Sequence, residues 1–206
     1  MTKDAPLFVR NPKGVSEILA ESCVGIAGCG GLGSNCAVAL ARSGVGKLVL
    51  VDDDRVELSN LNRQVFTRRH VGMSKALALA DVIREIRDEI VLTVYEDRIT
   101  DNIVTELFAS CQVLIEAFDT VESKSMIMRA FMDDVFKDAW LVGASGLAGI
   151  GPADALKTHR IGRRIYVCGD LETDVAEQGV MAPRVLQVAA QQANLAVRLL
   201  CGMEPR

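Results

Sequence analysis

Three consecutive carboxylates, Asp52, Asp53 and Asp54, followed by Ser59-Asn60-Leu61-Asn62-Arg63-Gln64, carry the densest chemistry in this sequence. A carboxylate at a strand end can accept hydrogen bonds from ribose hydroxyls, and a fixed guanidinium makes forked contacts to phosphate oxygens. Upstream lies Gly28-Cys29-Gly30-Gly31-Leu32-Gly33. In such a turn, backbone amides approach phosphate and the start of a helix adds positive potential. Asp52 falls nineteen positions after Gly33, the spacing of a ribose-binding carboxylate. These features fit NAD as well as ATP.

Asn60, Arg63 and Lys75 separate the two. An NAD site neutralises its pyrophosphate with amides and a helix dipole. Attack on the α-phosphate of ATP instead builds charge on phosphoryl oxygens and on departing pyrophosphate, which fixed cations stabilise. Arg63 suits the β- and γ-phosphates, and Lys75, in Gly72-Met73-Ser74-Lys75, suits the α-phosphate. Asp119 closes the apolar run 113–118, at a strand end where open α/β sheets hold ligands. It can bind Mg²⁺ or cap the following helix. Asp54 either joins the nucleotide site or caps the segment after it.

The elements that must position these residues follow from hydrophobic period. Residues 24–27 read as a first buried strand, 32–43 as a helix stopped by Gly44 and Gly46, and 47–51 as a second strand, which together make a βαβ unit. Further helices are expected at 74–87, 102–108, 121–135 and 182–200, and further strands at 91–95, 113–118 and 140–144. Residues 155–158 and 164–168 flank Ile161-Gly162-Arg163 as a hairpin, and 169–179 is polar and aperiodic, a loop. The fold class is α/β: a Rossmann-like, mostly parallel sheet flanked by helices, with an antiparallel hairpin near the C-terminus. The 206 residues are read as one domain, 1–206, with an N-terminal segment at 1–20.

Half the residues are hydrophobic and only 4% aromatic, a mix that fits buried parallel strands under helices. The net charge of −4 speaks against a nucleic-acid partner. Six scattered cysteines without a secretory segment point to the cytoplasm, and no apolar run is long enough for a membrane span. No P-loop is present, and His70 and His159 are assigned surface or structural roles.

In this order, Gly28-x-Gly30-Gly31-x-Gly33, Asp52-x-Asp54, Ser59-Asn60-Leu61-x-Arg63-Gln64, Gly72-x-x-Lys75 and Asp119 resemble the ubiquitin-activating superfamily. Within it the match is to the ThiF/MoeB-type adenylyltransferases, and among those to short ThiF-like thiamine-biosynthesis proteins. The resemblance implies that the C-terminal glycine carboxylate of a ubiquitin-like sulfur carrier attacks ATP, releasing pyrophosphate and leaving an acyl-adenylate. It implies that Asp52 holds the ribose, Asn60 and Arg63 the outer phosphates, Lys75 the α-phosphate and Asp119 Mg²⁺. It further implies a homodimer in which an N-terminal arginine of the partner enters the site, with Arg10 the candidate, and a crossover loop at 169–181. The Cys-x-x-Cys pairs of many relatives are missing, so no zinc site is expected, and 169–181 contains no cysteine for a covalent step. The alternatives are a molybdopterin-type carrier, a tRNA-bound carboxylate, or a NAD-dependent oxidoreductase.

Overall fold

The computed structural model describes residues 3–101 and 103–205. A short helix α1 (Val15–Ala20) leads into β1 (Cys23–Ala27), α2 (Gly31–Ser43), β2 (Lys47–Val51), α3 (Lys75–Arg84) and β3 (Val91–Tyr95). Next come α4 (Val104–Phe108), β4 (Val113–Glu116), α5 (Val121–Ala130) and β5 (Trp140–Ala144). The hairpin strands β6 (Lys157–Arg160) and β7 (Ile165–Gly169), the single turn α6 (Val175–Gln178) and the long α7 (Ala182–Leu200) complete the chain.

The strands form one seven-stranded sheet in the order β3-β2-β1-β4-β5-β7-β6, with β6 antiparallel to β7 and every other pairing parallel. The expected Rossmann-like α/β class is what is found. β1 and β4 are buried along their whole length, as apolar runs covered on both faces require. One core packs α2, α3 and α7 on the sheet, and a second packs Phe108, Ile127, Phe131 and Phe136 on the other face. Helix α2 turns Leu32, Cys36, Ala37, Leu40 and Ala41 inward, then stops at Gly44, whose φ of 109° lets its amide reach Leu40 and Ala41 carbonyls.

Several boundaries differ from expectation, each for a local reason. β4 ends at Glu116 rather than 118, because the Glu116 carboxylate takes the Phe118 amide at 2.8 Å and turns the chain out of the ladder. α5 stops at Ala130 rather than 135. Asp133 accepts the Val135 amide at 2.9 Å and opens a separate 3-10 turn, Asp134–Phe136, which stacks Phe136 on Phe131. α3 ends at Arg84, and Arg87 folds back to the carbonyls of Ala41 and Val45. The helix expected from 102 starts at Val104, and residue 102 lies outside the described residues. The expected 169–179 loop contains α6, capped by Asp174, which accepts the Ala176 amide at 2.7 Å. The hairpin strands sit one to two residues later than expected.

Two features of the sheet position a site. Strands β1 to β3 build outward in one direction and β4 onward in the other, so a crevice opens at the carboxyl ends of β1 and β4. In addition, the β4–β5 register stops at Ile115 and Val142, so these strands part before their ends.

Candidate functional site

A cleft of about 840 Å³ lies over those strand ends. The glycine turn forms its floor. Gly28 donates to Val51 O at 3.0 Å, and the Cys29 amide donates to Asp52 Oδ2 at 2.6 Å. Asp52 Oδ1 accepts the Asp54 amide at 2.8 Å, so a single carboxylate joins the glycine turn to the turn after β2. Burial raises the Asp52 pKa above the ordinary carboxylate value, and the two amides and Lys75 oppose that rise. Gly28, Gly30, Gly31, Asp52 and Asp54 all line the cleft.

Gly33 does not line it. A Cβ there would fall 1.8 Å from Gly28 O, so this glycine lets α2 pack closely against the turn instead of meeting a ligand. Arg10 is also outside the cleft of its own chain. Its neighbour Asn11 donates to Ser43 O at 2.9 Å, which fixes the N-terminal segment at the far end of α2 from Gly31.

The remaining candidates converge on the cleft. Residues Leu58–Asn62 form a 3-10 turn whose capping box pairs Glu57 with Asn60; Asn60 Oδ1 accepts the Glu57 amide at 3.1 Å. Thus Asn60, only 8% exposed, shapes the turn that carries Arg63. Asn35 on α2 donates to Gly31 O at 2.7 Å and Arg63 O at 2.9 Å, fastening the Arg63 backbone to the glycine turn. The half-buried Arg63 side chain rests its guanidinium on Ser59 O and Asn62 Oδ1. Gln64 beside it is buried, with Oε1 unpartnered among the described residues. Lys75 is the first residue of α3, and its ammonium meets Asp54 Oδ2 at 2.6 Å. Asp54 therefore neutralises Lys75 across the cleft, while Glu57 does the capping.

Asp119 is exposed on the cleft wall and makes no hydrogen bond or ion pair among the described residues. Capping of α5 falls to Thr120, whose Oγ1 accepts the Ser123 amide at 3.2 Å. The Asp119 carboxylate is left unengaged. No three metal-binding side chains cluster among the described residues. A lone carboxylate nevertheless fits Mg²⁺, which otherwise takes phosphate oxygens and waters.

The opposite wall falls within the glycine-rich stretch 145–151 and the crossover loop expected at 169–181, although sequence singled out none of its residues. It consists of Ser145-Gly146-Leu147 after β5 and Thr173-Asp174-Val175 before and within α6. Asp170 knits the two stretches together. Its carboxylate takes the amides of Glu172 and Thr173 at 2.9 Å and the Arg184 guanidinium at 2.6 Å, while Thr173 accepts the Ala148 amide. Burial alone would raise the Asp170 pKa, but these amides, the Thr173 hydroxyl and Arg184 together hold it below the ordinary value. Only the loop's polarity hinted at this, since Asp170 and Arg184 are fourteen residues apart in different elements.

Neither histidine serves the cleft. His70 Nδ1 accepts the Thr67 amide at 3.0 Å within a buried capping box, and His159 meets Gly169 O at 3.1 Å. The cysteines are equally remote from chemistry here. Burial pushes the Cys29 thiol well up and the Cys168 thiol to about 11. No cysteine lines the cleft.

With this geometry in place, comparison with known proteins is direct. The family model described as "ThiF family" matches residues 8–206. The chain belongs to the ThiF family. This ThiF-family chain is 32% identical over 192 residues to the sulfur carrier protein ThiS adenylyltransferase of Escherichia coli, covering 90% of this chain and 75% of that protein. It is 37% identical over 114 residues to the Escherichia coli tRNA threonylcarbamoyladenosine dehydratase, covering 54% of this chain but only 42% of that relative. In three dimensions it matches the ATP complex of the same dehydratase with a TM-score of 0.83 at 22% identity, over 92% of this chain and 90% of the solved one. The ATP complex of Escherichia coli MccB matches with a TM-score of 0.73 at 20% identity, over 93% of this chain and 59% of that one. At these identities the structures establish a shared fold. Among the described residues, no helix is long and apolar enough to cross a membrane.

Proposed function

We propose that this ThiF-family chain uses ATP to adenylate the C-terminal glycine carboxylate of a ThiS-like, ubiquitin-like sulfur carrier, in the cytoplasm and as part of thiamine thiazole synthesis. One observation carries the reading: Arg63, Lys75 and Asp119 meet the glycine turn and Asp52 in a single cleft at the switch point of the sheet. A NAD site would leave those two cations and the unengaged carboxylate without a purpose. The similarity to the ThiS adenylyltransferase over 90% of this chain supports the choice of carrier.

In this reading Asp52 receives the ribose hydroxyls, and amides of the Gly28–Gly33 turn face the phosphates. The carrier carboxylate attacks the α-phosphorus, a C–O–P linkage forms, and the bond to the β-phosphate oxygen breaks, so pyrophosphate leaves. Lys75 exchanges Asp54 for the α-phosphate, and Arg63, swinging off Ser59 and Asn62, neutralises the departing charge. Asp119 would hold Mg²⁺, which when bound neutralises phosphate oxygens. No general base is required because the carboxylate arrives ionised. The homodimer, with Arg10 crossing to the partner's cleft, belongs to the same proposal, since Arg10 cannot serve its own cleft from the far end of α2.

A second acceptor has specific support: the 37% identity to the tRNA threonylcarbamoyladenosine dehydratase favours activation of a tRNA-bound carboxylate by the same chemistry. The net charge of −4 weighs against it. The test is ATP–pyrophosphate exchange with carriers ending in Gly-Gly and, in parallel, with modified tRNA, followed by mass spectrometry for the acyl-adenylate. Carrier-dependent exchange that Arg63→Ala, Lys75→Ala and Asp119→Ala each reduce by about 100-fold is expected. Exchange with tRNA alone would reassign the acceptor, and unaltered exchange in all three variants would remove the site.

A further inference from the structure

We infer that Glu116 and Lys124 form a positioning pair that holds the β4 and β5 ends of the cleft in register, a role that rests on the adenylation reading and adds two residues to it. The β4–β5 ladder ends at Ile115 and Val142, so beyond that point main-chain hydrogen bonds no longer set the distance between the two strands. The residues that follow, Asp119 on one side and Ser145 on the other, both line the cleft. Something else must fix their separation.

Lys124 does so from α5. Its ammonium reaches Glu116 Oε1 at 2.9 Å, Glu116 Oε2 at 3.1 Å and the carbonyl of Ala144 at 3.0 Å. Three donors meet three acceptors, drawn from the last residue of β4 and the last residue of β5. Glu116 is 1% exposed and also accepts the Phe118 amide, which sets the path of the three residues leading to Asp119. Gly143 leaves the space for this carboxylate, since a Cβ there would sit 3.0 Å from Glu116 Oε2. Beneath the pair, Gln192 of α7 donates to Glu116 O at 3.1 Å and Val142 O at 3.3 Å, a second tie across the same gap.

Lys124 lines the cleft with its side chain 26% exposed, so it resembles a third phosphate cation. Its partners argue otherwise. Every hydrogen of the ammonium has a protein acceptor, and one full negative charge lies against it. Arg63 and Lys75, by contrast, rest on carbonyls and on exposed groups that a ligand can replace. The pair adds no net charge to the cleft; it supplies spacing.

The test compares Glu116→Gln, Lys124→Gln and Lys124→Arg in the full chain. Lys124→Gln strands a buried carboxylate and can fail to fold, whereas Glu116→Gln keeps the acceptor for Phe118 and leaves a partly exposed ammonium. Three readouts are taken: ATP affinity by calorimetry, exchange kcat with carrier, and amide hydrogen exchange. For Glu116→Gln the expectation is about a 100-fold fall in kcat with ATP affinity changed less than about threefold, because misplacement by an ångström acts on the transition state. Amides at 117–120 and 144–147 should exchange about tenfold faster while those of β1 keep their protection. Lys124→Arg keeps a cation beside Glu116 on a wider, planar head and should hold kcat between wild type and Glu116→Gln.

The inference is overturned if folded Glu116→Gln keeps wild-type kcat and wild-type protection at both segments. It is also overturned if kcat, ATP affinity and melting temperature fall together and protection is lost evenly, the pattern of a purely structural pair. Should the wild-type chain bind ATP yet activate no carrier, the carrier assignment fails instead. The hydrogen-exchange comparison then decides the positioning role alone, local loss of protection upholding it and unchanged protection ending it.

Discussion

Exchanging Gly30 and Gly33 separately for alanine should split nucleotide binding from folding, although both glycines stand in one six-residue turn. At Gly30 the nearest atom to an added Cβ is Gln64 Nε2, 3.8 Å away, an ordinary contact. φ is −80° and ψ −145°, so alanine needs only a modest backbone adjustment towards the extended region. The protein itself should accommodate the methyl, with a melting temperature within about 4 °C of wild type. The methyl instead points at space a phosphate needs in order to reach the turn amides. Displacing one or two charge-assisted hydrogen bonds costs about 2 kcal/mol, or roughly a 30-fold weaker ATP Kd. At Gly33 the added Cβ lies 1.8 Å from Gly28 O and 2.9 Å from Gly28 C, both backbone. The first contact is roughly 1.5 Å short of normal, so α2 must lift from the turn. A cost of about 3 kcal/mol is expected, lowering the melting temperature by about 6–12 °C in a chain of this length. Calorimetry with ATP and a thermal melt measure the two effects. If Gly30→Ala binds ATP as tightly as wild type, phosphate does not approach this turn and the nucleotide assignment of the floor is wrong. If Gly33→Ala melts with wild type, the close packing at the start of α2 is misread.

Other outcomes follow from the charges. Arg184→Met leaves Asp170 with its two amides and the Thr173 hydroxyl but no cation, in a pair whose side chains are 4% and 10% exposed. A loss of about 3 kcal/mol in urea unfolding is expected. Because the Asp170 pKa is held below its ordinary value, its stabilisation is present above that value and disappears as pH falls through the lowered one; Arg184→Met should flatten this acid limb of the stability curve. Cys23 and Cys111 lie with sulfurs 3.5 Å apart, and the hydrogen bond from Cys111, opposed by burial and aided by Ser110 and Lys47, lowers Cys23 to about 7 while Cys111 is pushed up. The folded pair then holds one proton where the unfolded chain holds two, so stability should rise by about 1 kcal/mol per unit from pH 7 towards 9 and fall beyond it. Urea titrations of Cys23→Ser should lack the rise. Equal slopes for the two proteins would show that the thiols do not share a charge.

Much of the fold was legible because its signals are local. The strands at Lys47–Val51, Val91–Tyr95 and Trp140–Ala144 are short, mainly apolar runs each ended by a polar residue, and α7 has Pro183 in its first turn and Gly202 past its end. Reading failed where a side chain overrules a pattern. The apolar period runs through 131–136, yet Asp133 restarts the chain as a 3-10 turn so that Phe136 can stack on Phe131. In the cleft, the ordered motifs announced the Arg63 and Asp119 sides, because glycine turns and strand-end carboxylates have fixed spacings. Glu116 and Lys124 gave no such notice. Their eight-residue separation crosses from a strand to a helix, and only the parting of β4 from β5 makes the contact meaningful. The role of Gly33 was hidden for a similar reason, since spacing does not tell a glycine that faces a ligand from one that faces its own backbone.

The contact between Lys75 and Asp54 has a bearing on turnover. Asp54 is an internal competitor: any phosphate that takes the ammonium must first evict a carboxylate that is 68% exposed and ready to return. The eviction weakens every phosphate ligand by the same factor, but the ligands feel it unequally. A triphosphate spread over the glycine amides and Arg63 absorbs the handicap, while a monophosphate resting mainly on Lys75 loses much of its hold. On the adenylation reading, the resting contact thereby favours a triphosphate held at several points over any ligand that rests on Lys75 alone.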